Sequence, residues 1–129
     1  MSTHAHAAEA YLASAVENAP PIKIVRMLYQ GALRFIMQAE GEDAAEPSSS
    51  FVQFCSDADA IVAELRLALD AAHGSADVVD NLTQLYLFCE GELQRAMIDR
   101  SPAPLASVKQ VLTVLLEAWD AVEVEAGTA

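Results

Sequence analysis

The side chains best suited to chemistry in this chain are three histidines, two cysteines and nineteen acidic residues, set among 129 positions. His4 and His6, two residues apart, could grip a metal ion, but no third ligand stands near them and no apolar pattern anchors their segment. Asp70-x-x-His73 comes nearest to the acid-x-x-His motif of helical di-metal centres, which require such motifs on facing helices. It stands alone and runs into Gly74, so it reads as a helix end. Cys55 and Cys89 lie apart in apolar stretches with no CxxC pair or Cys/His ladder, the pattern of two buried, reduced thiols. A serine or cysteine nucleophile needs a positioned base, and two of the three histidines sit within the first six residues. The glycines, at 31, 41, 74, 91 and 127, are scattered one per segment, so none builds a phosphate-cradling loop. The chain is therefore not read as an enzyme, and no metal, cofactor or catalytic residue is expected.

What remains is charge and apolar patterning. Seven Lys plus Arg against nineteen Asp plus Glu give a net charge of −12. Binding to a phosphate backbone requires clustered positive charge, so nucleic acid and anionic membrane surfaces are poor partners for this chain. Met1–Ala8 lacks the basic and apolar runs of a signal peptide. Stretches free of charge fall short of the roughly 18 residues that span a bilayer. A cytoplasmic location without membrane insertion is expected.

The elements that position the apolar residues are helical. Alanine fills 25 positions, which favours helix more than it fills a core. A weakly amphipathic piece over Ala7–Val16 ends at Asn18-Ala19-Pro20-Pro21, where Pro21 suits a first helical position. From Ile22 to Glu40 the stripe Val25, Leu28, Ala32, Ile36 and Ala39 recurs at three and four residues. Gly41–Ser50 reads as a loop. A second helix over about Phe51–Ala72 carries Phe54, Ala58, Ile61, Leu65 and Ala68 and closes at His73-Gly74. A third opens at Ser75 or Asp77 and carries Val78, Leu82, Leu85, Cys89, Leu93 and Ala96. Ser101-Pro102 restarts a fourth, with Leu105, Val108, Leu112, Leu115, Trp119 and Val122. The expected fold is all-α, an antiparallel four-helix bundle in one domain over 1–129. Residues 21–125 form the bundle, and a short N-terminal helical cap or tail precedes it over 1–20.

Two helices carry more apolar surface than a stripe of about 100° requires. The first adds Ile24, Met27, Tyr29, Leu33, Phe35 and Met37, and the third adds Val79, Tyr86, Leu87 and Phe88. This surplus fits either a wide core contact or an exposed groove for an amphipathic partner, and periodicity does not choose between them.

Four strings carry a resemblance. Val16–Phe35 (VENAPPIKIVRMLYQGALRF) resembles the pattern V-x-T-A-S-P-x-x-L-I-x-M-L-Y-D-G-A-I-x-F, which opens the flagellin export chaperone family, FliS, behind a tyrosine matched here by Tyr11. Ala58-x-x-Ile61-Val62-x-Glu64-Leu65-Arg66-x-x-Leu69-Asp70, Asn81-Leu82-x-x-Leu85-Tyr86 and Leu112-x-x-Leu115-x-x-Ala118-Trp119 resemble its later helices, in order, over roughly residues 11–122. Pro20 stands for the usual serine cap and Gln30 for an aspartate. Gly91-Glu92 replaces a stretch that is often basic.

The resemblance implies a cytosolic helical bundle that holds the C-terminal segment of newly made flagellin and prevents its polymerisation before export. The flagellar export gate is a further candidate partner. It also implies that the N-terminal segment, with Tyr11, can lie in the binding groove and yield to flagellin. The candidate partner-binding residues are Tyr11, Ile24, Met27, Leu28, Tyr29, Ala32, Leu33, Ile36, Ile61, Leu65 and Tyr86. Leu28, Ile36 and Trp119 also read as core positions, and Gly31 as a point of close helix approach. The alternative is a homo-oligomeric helical scaffold whose surplus apolar stripes pack against copies of itself.

Overall fold

The computed structural model describes residues 21–71 and 76–128, with side chains at 24–68 and 82–120. Four helices fill these segments: α1 (Pro21–Glu40), α2 (Phe51–Ala71), α3 (Ala76–Asp99) and α4 (Ala103–Thr128). No strand occurs among the described residues. The expected helical cap over Ala7–Val16, the His73-Gly74 cap and all three histidines lie outside them.

Each helix packs against two neighbours, closing a ring in the order α1, α2, α3, α4. Arg26 near the start of α1 meets Asp120 near the end of α4 at 3.1 Å, and Glu40 at the end of α1 meets Lys109 near the start of α4 at 2.9 Å. The two helices are thus antiparallel, as short connections require. The fold is the all-α four-helix bundle that the periodicity predicts.

The helix ends follow from local chemistry. Pro21 opens α1, where its missing N–H leaves no bond unmade. The loop after α1 is tied by its own polar groups: Ala45 N–H donates to Asp43 Oδ1 at 3.1 Å, and Ser49 Oγ donates to the Asp43 carbonyl at 2.7 Å. Such side-chain turns compete successfully with helix and explain why the chain leaves it here. Between α3 and α4, Arg100 adopts φ 47° and Ser101 N–H donates back to the Ala96 carbonyl at 3.1 Å. This is a left-handed helix cap, a position that glycine occupies without strain. Ser101 Oγ then accepts from Ala103 N–H at 3.3 Å and caps α4.

The core is one contiguous cluster running from Leu28 to Leu112. On α1 it takes Leu28, Ala32, Ile36 and Ala39, as expected, and also Tyr29 and Phe35. α1 packs against both α2 and α4, so its buried face is wider than one stripe. On α3 the buried positions are Tyr86, Cys89, Leu93 and Ala96, whereas Leu85 is 37% exposed. The stripe expected through Leu85 is corrected to Tyr86. Both lie at helical spacing from Leu82, and the longer tyrosine reaches the bundle axis. On α2, Phe51 and Cys55 enter the core while Phe54 and Ala68 stay half-buried at its edge. Phe54 meets Phe35 of α1 with ring centroids 6.4 Å apart.

Candidate functional site

Tyr29 and Tyr86 sit on diagonally opposite helices whose backbones do not touch, yet their hydroxyls share a buried hydrogen bond. The rings tilt at 49° with centroids 6.3 Å apart. Either hydroxyl can donate, and each satisfies the other in a place that water does not reach, which is what permits two phenols in an apolar core. Burial pushes both pKa values up, and for Tyr29 the bond to Tyr86 partly offsets the rise. Burial likewise pushes the Cys55 and Cys89 thiols up to about 12. Both cysteines are free and buried, so at neutral pH they are protonated and poor nucleophiles.

The candidate partner-binding residues divide in two. Leu28, Tyr29, Ala32 and Ile36 on α1, Ile61 and Leu65 on α2, and Tyr86 on α3 are all core residues, none more than 3% exposed. Ile24, Met27 and Leu33 are half-buried along the edge of α1. Tyr11 lies outside the described residues. Tyr29 and Tyr86, read from the sequence as surplus to the core stripes, are instead enclosed, because only paired across the bundle can their hydroxyls be buried without loss.

The surplus that does reach the surface lies elsewhere. Met37 is 62% exposed on α1 and, with Leu33, Gln30, Arg34 and Gln38, lines an open concavity of about 510 Å³. A smaller groove of about 250 Å³ runs between α3 and α4, walled by Leu85, Val111, Val114 and Leu115 with Gln110 at its rim. Leu67, Leu87, Phe88 and Ile98 add exposed apolar groups on α2 and α3. Part of the α4 wall escaped the sequence reading: Leu115 lies on the stripe with Leu105 and Leu112, but Val111 and Val114 fall outside it, and only the position of α3 reveals them as walls. Trp119 is half-buried beside the core, and its Nε1 is buried with no hydrogen-bond partner.

Polar groups edge this surface without forming a reactive constellation. Arg66 Nε lies 3.4 Å from Glu90 Oε2, joining α2 to α3. Asp59, two turns earlier on the same face of α2, has its carboxyl raised to about 6, first by burial and then by the charge of Glu90, against the pull of Arg66. The Asp59 Oδ1 atom is buried and accepts no hydrogen bond. Among the described residues no group of three or more His, Cys, Asp or Glu side chains could hold a metal ion, and no helix is long and apolar enough to cross a membrane.

The family described as flagellar protein FliS matches residues 4–126. The flagellar secretion chaperone FliSB of Pseudomonas aeruginosa is 28% identical over 107 residues, covering 83% of this chain and 84% of that protein. The flagellar secretion chaperone FliS of Vibrio cholerae is 31% identical over 114 residues, covering 87% and 82% respectively.

Proposed function

We propose that this chain, which belongs to the flagellar protein FliS family, holds the C-terminal segment of flagellin in the cytosol before export. Family membership makes it a flagellar secretion chaperone, and the family is one of chaperones rather than enzymes. The segment it holds has no stable fold alone and assembles by helix packing, so covering its apolar face keeps it from polymerising. Ordering such a segment opposes binding, and apolar anchors must outweigh that term.

The observation that supports this reading is the apolar surface left open on a strongly acidic bundle. Met37, Leu85 and Val114 line concave, exposed surface on α1 and between α3 and α4. An amphipathic helix laid into such a groove buries its apolar side by the common helix-in-groove mode. Ile24, Met27 and Leu33 form the half-buried edge from which α1 contributes, and the enclosed residues Leu28, Tyr29, Ala32, Ile36, Ile61, Leu65 and Tyr86 hold that edge rigid from beneath. The net charge of −12 keeps the open form in solution and speeds encounter with a positively charged segment. The loaded complex is the form that would meet the export gate.

Co-purification with the host's flagellin, intact and lacking its C-terminal segment, tests the reading. The intact protein is expected to be retained and the truncated one lost. Equal retention, or none, contradicts the proposal. Sedimentation addresses the alternative of a self-assembling scaffold: a monomer that shifts to a one-to-one complex with the flagellin C-terminal peptide supports the chaperone, and a stable dimer indifferent to that peptide supports the scaffold.

A further inference from the structure

The seam between α2 and α3 holds two carboxylates and one guanidinium. Glu90 on α3 faces Arg66 on α2, with Nη2 donating to Oε1 at 3.4 Å and Nε lying 3.4 Å from Oε2. Both distances are long for a charge-assisted fork, which closes to about 2.7–2.9 Å. Arg66 Nε is buried and makes no aligned hydrogen bond. Asp59 lies two turns earlier on the same face of α2. It is near enough to feel both charges, and its Oδ1 is buried without a partner. The seam thus has one donor poorly met and one acceptor not met at all. α2 packs against α1 and α3, and the charges that act on Asp59 are Glu90 across the seam and Arg66 on its own helix. Elsewhere on α2, Asp57 accepts from Gln53 at 3.1 Å and Glu64 is exposed. On α1, Arg26 and Glu40 meet Asp120 and Lys109 of α4, and Arg34 lines the open concavity. On α3, Glu92 meets Arg95.

We propose that the α2–α3 seam is a proton-operated latch: Asp59 takes up one proton as the surroundings turn mildly acidic, and the two helices are then held more tightly than at neutral pH. With both carboxylates ionised the seam carries one negative charge in excess, in a place where burial strengthens repulsion. Arg66 offsets one carboxylate, and the other is left with an oxygen that no donor reaches. A proton on Asp59 removes the excess, leaves Arg66 to Glu90 alone and gives the unmet carboxyl a donor of its own. The raised carboxyl, about 6 against 3.8, sets the change just below neutral. Opening the seam returns Asp59 to water and to its ordinary value, so the closed form gains as pH falls from above 6 toward 4. α3 also walls the groove with α4, so the latch sets how firmly that wall is held. The device belongs to the fold and does not depend on which client the chain carries.

The carboxyl carbon of Asp59, followed by NMR in the full chain, reads the proton directly. A midpoint near pH 6 is expected in the parent. Glu90→Gln removes a repelling charge and should lower it, whereas Arg66→Gln removes an attracting one and should raise it. A merely structural role would not move the midpoint in opposite directions. Amide exchange then reads the latch on residues 59–66 and 90–97, at amides that open more readily than the slowest core ones. Their protection, corrected for the pH dependence of intrinsic exchange, is expected to rise about tenfold from about pH 7.5 to about pH 5. Asp59→Asn should abolish that rise and already show the acid level at the higher pH. An Asp59 midpoint near 4, or two variants that shift it the same way, overturns the proton site. A midpoint near 6 with protection indifferent to pH, or equally dependent on it in Asp59→Asn, overturns the latch. Should Arg66→Gln fail to fold, a midpoint that Glu90→Gln leaves in place still overturns the site.

Discussion

The inner and outer faces of α3 show two uses of the same kinds of residue. Inward, Tyr86, Cys89 and Leu93 are sealed, and the tyrosine finds its one polar need met by Tyr29 across the bundle. Outward, Leu87, Phe88 and Ile98 are as apolar but meet water. A folded protein exposes much apolar surface in any case, so single exposed side chains say little. Several along one helix, beside a groove, say more. Stability resides on the inner face and recognition is assigned to the open groove beside the outer one.

That division can be broken experimentally, beginning where the effect is largest. Ile61→Ala, at a fully buried site, is expected to destabilise the fold by about 2–5 kcal/mol in denaturant titration. Val114→Ala, 57% exposed, should change stability by less than about 0.5 kcal/mol. A comparable loss at both sites would erase the distinction between sealed and open surface. Next comes the tyrosine pair. Tyr86→Phe strands the Tyr29 hydroxyl and should lose roughly 1–3 kcal/mol, whereas adding Tyr29→Phe removes the unmet group and restores part of that loss. Strictly additive penalties would mean that the two hydroxyls do not depend on each other.

Asp59 gives a test in pH. Its carboxyl is raised to about 6 from the usual 3.8, so the folded state favours the protonated form. The penalty is fully present above pH 6, where both states are ionised, and fades as pH falls toward 4. Asp59→Asn should therefore stabilise the protein at pH 7.5 by about 1 kcal/mol, a modest size because water screens a half-exposed group, and by little at pH 4. A variant advantage that grows on acidification would reverse the assignment. Smaller still, Arg100→Gly relieves a left-handed residue at the end of α3 and should add about 0.5–1 kcal/mol. Lys109→Ala removes one exposed ion pair with Glu40 and should cost no more than about 0.5 kcal/mol.

Much of the bundle was legible in the residues themselves. Pro21, the Gly41–Ser50 breaker run and Ser101-Pro102 placed helix ends within a residue or two of those observed, because capping and turn chemistry are local. The width of α1's apolar face was also legible, but its meaning was not. Tyr29 could face a partner or the core, and only the position of Tyr86 on the opposite helix decides that. The one-residue shift from Leu85 to Tyr86 has the same origin, since a helical repeat of 3.6 admits both positions. The α3–α4 groove was illegible because its walls belong to helices whose relative placement no single stripe encodes.

The most direct test of the central claim is amide hydrogen exchange of the intact chain with and without a flagellin C-terminal peptide. Added protection is expected around Leu85 and along residues 110–116, with the slowest amides near Tyr29, Ile36 and Ile61 unchanged, since the guest binds outside a core that stays shut. Faster exchange around Tyr29 and Tyr86 on binding, or no added protection on α3 and α4, would contradict it.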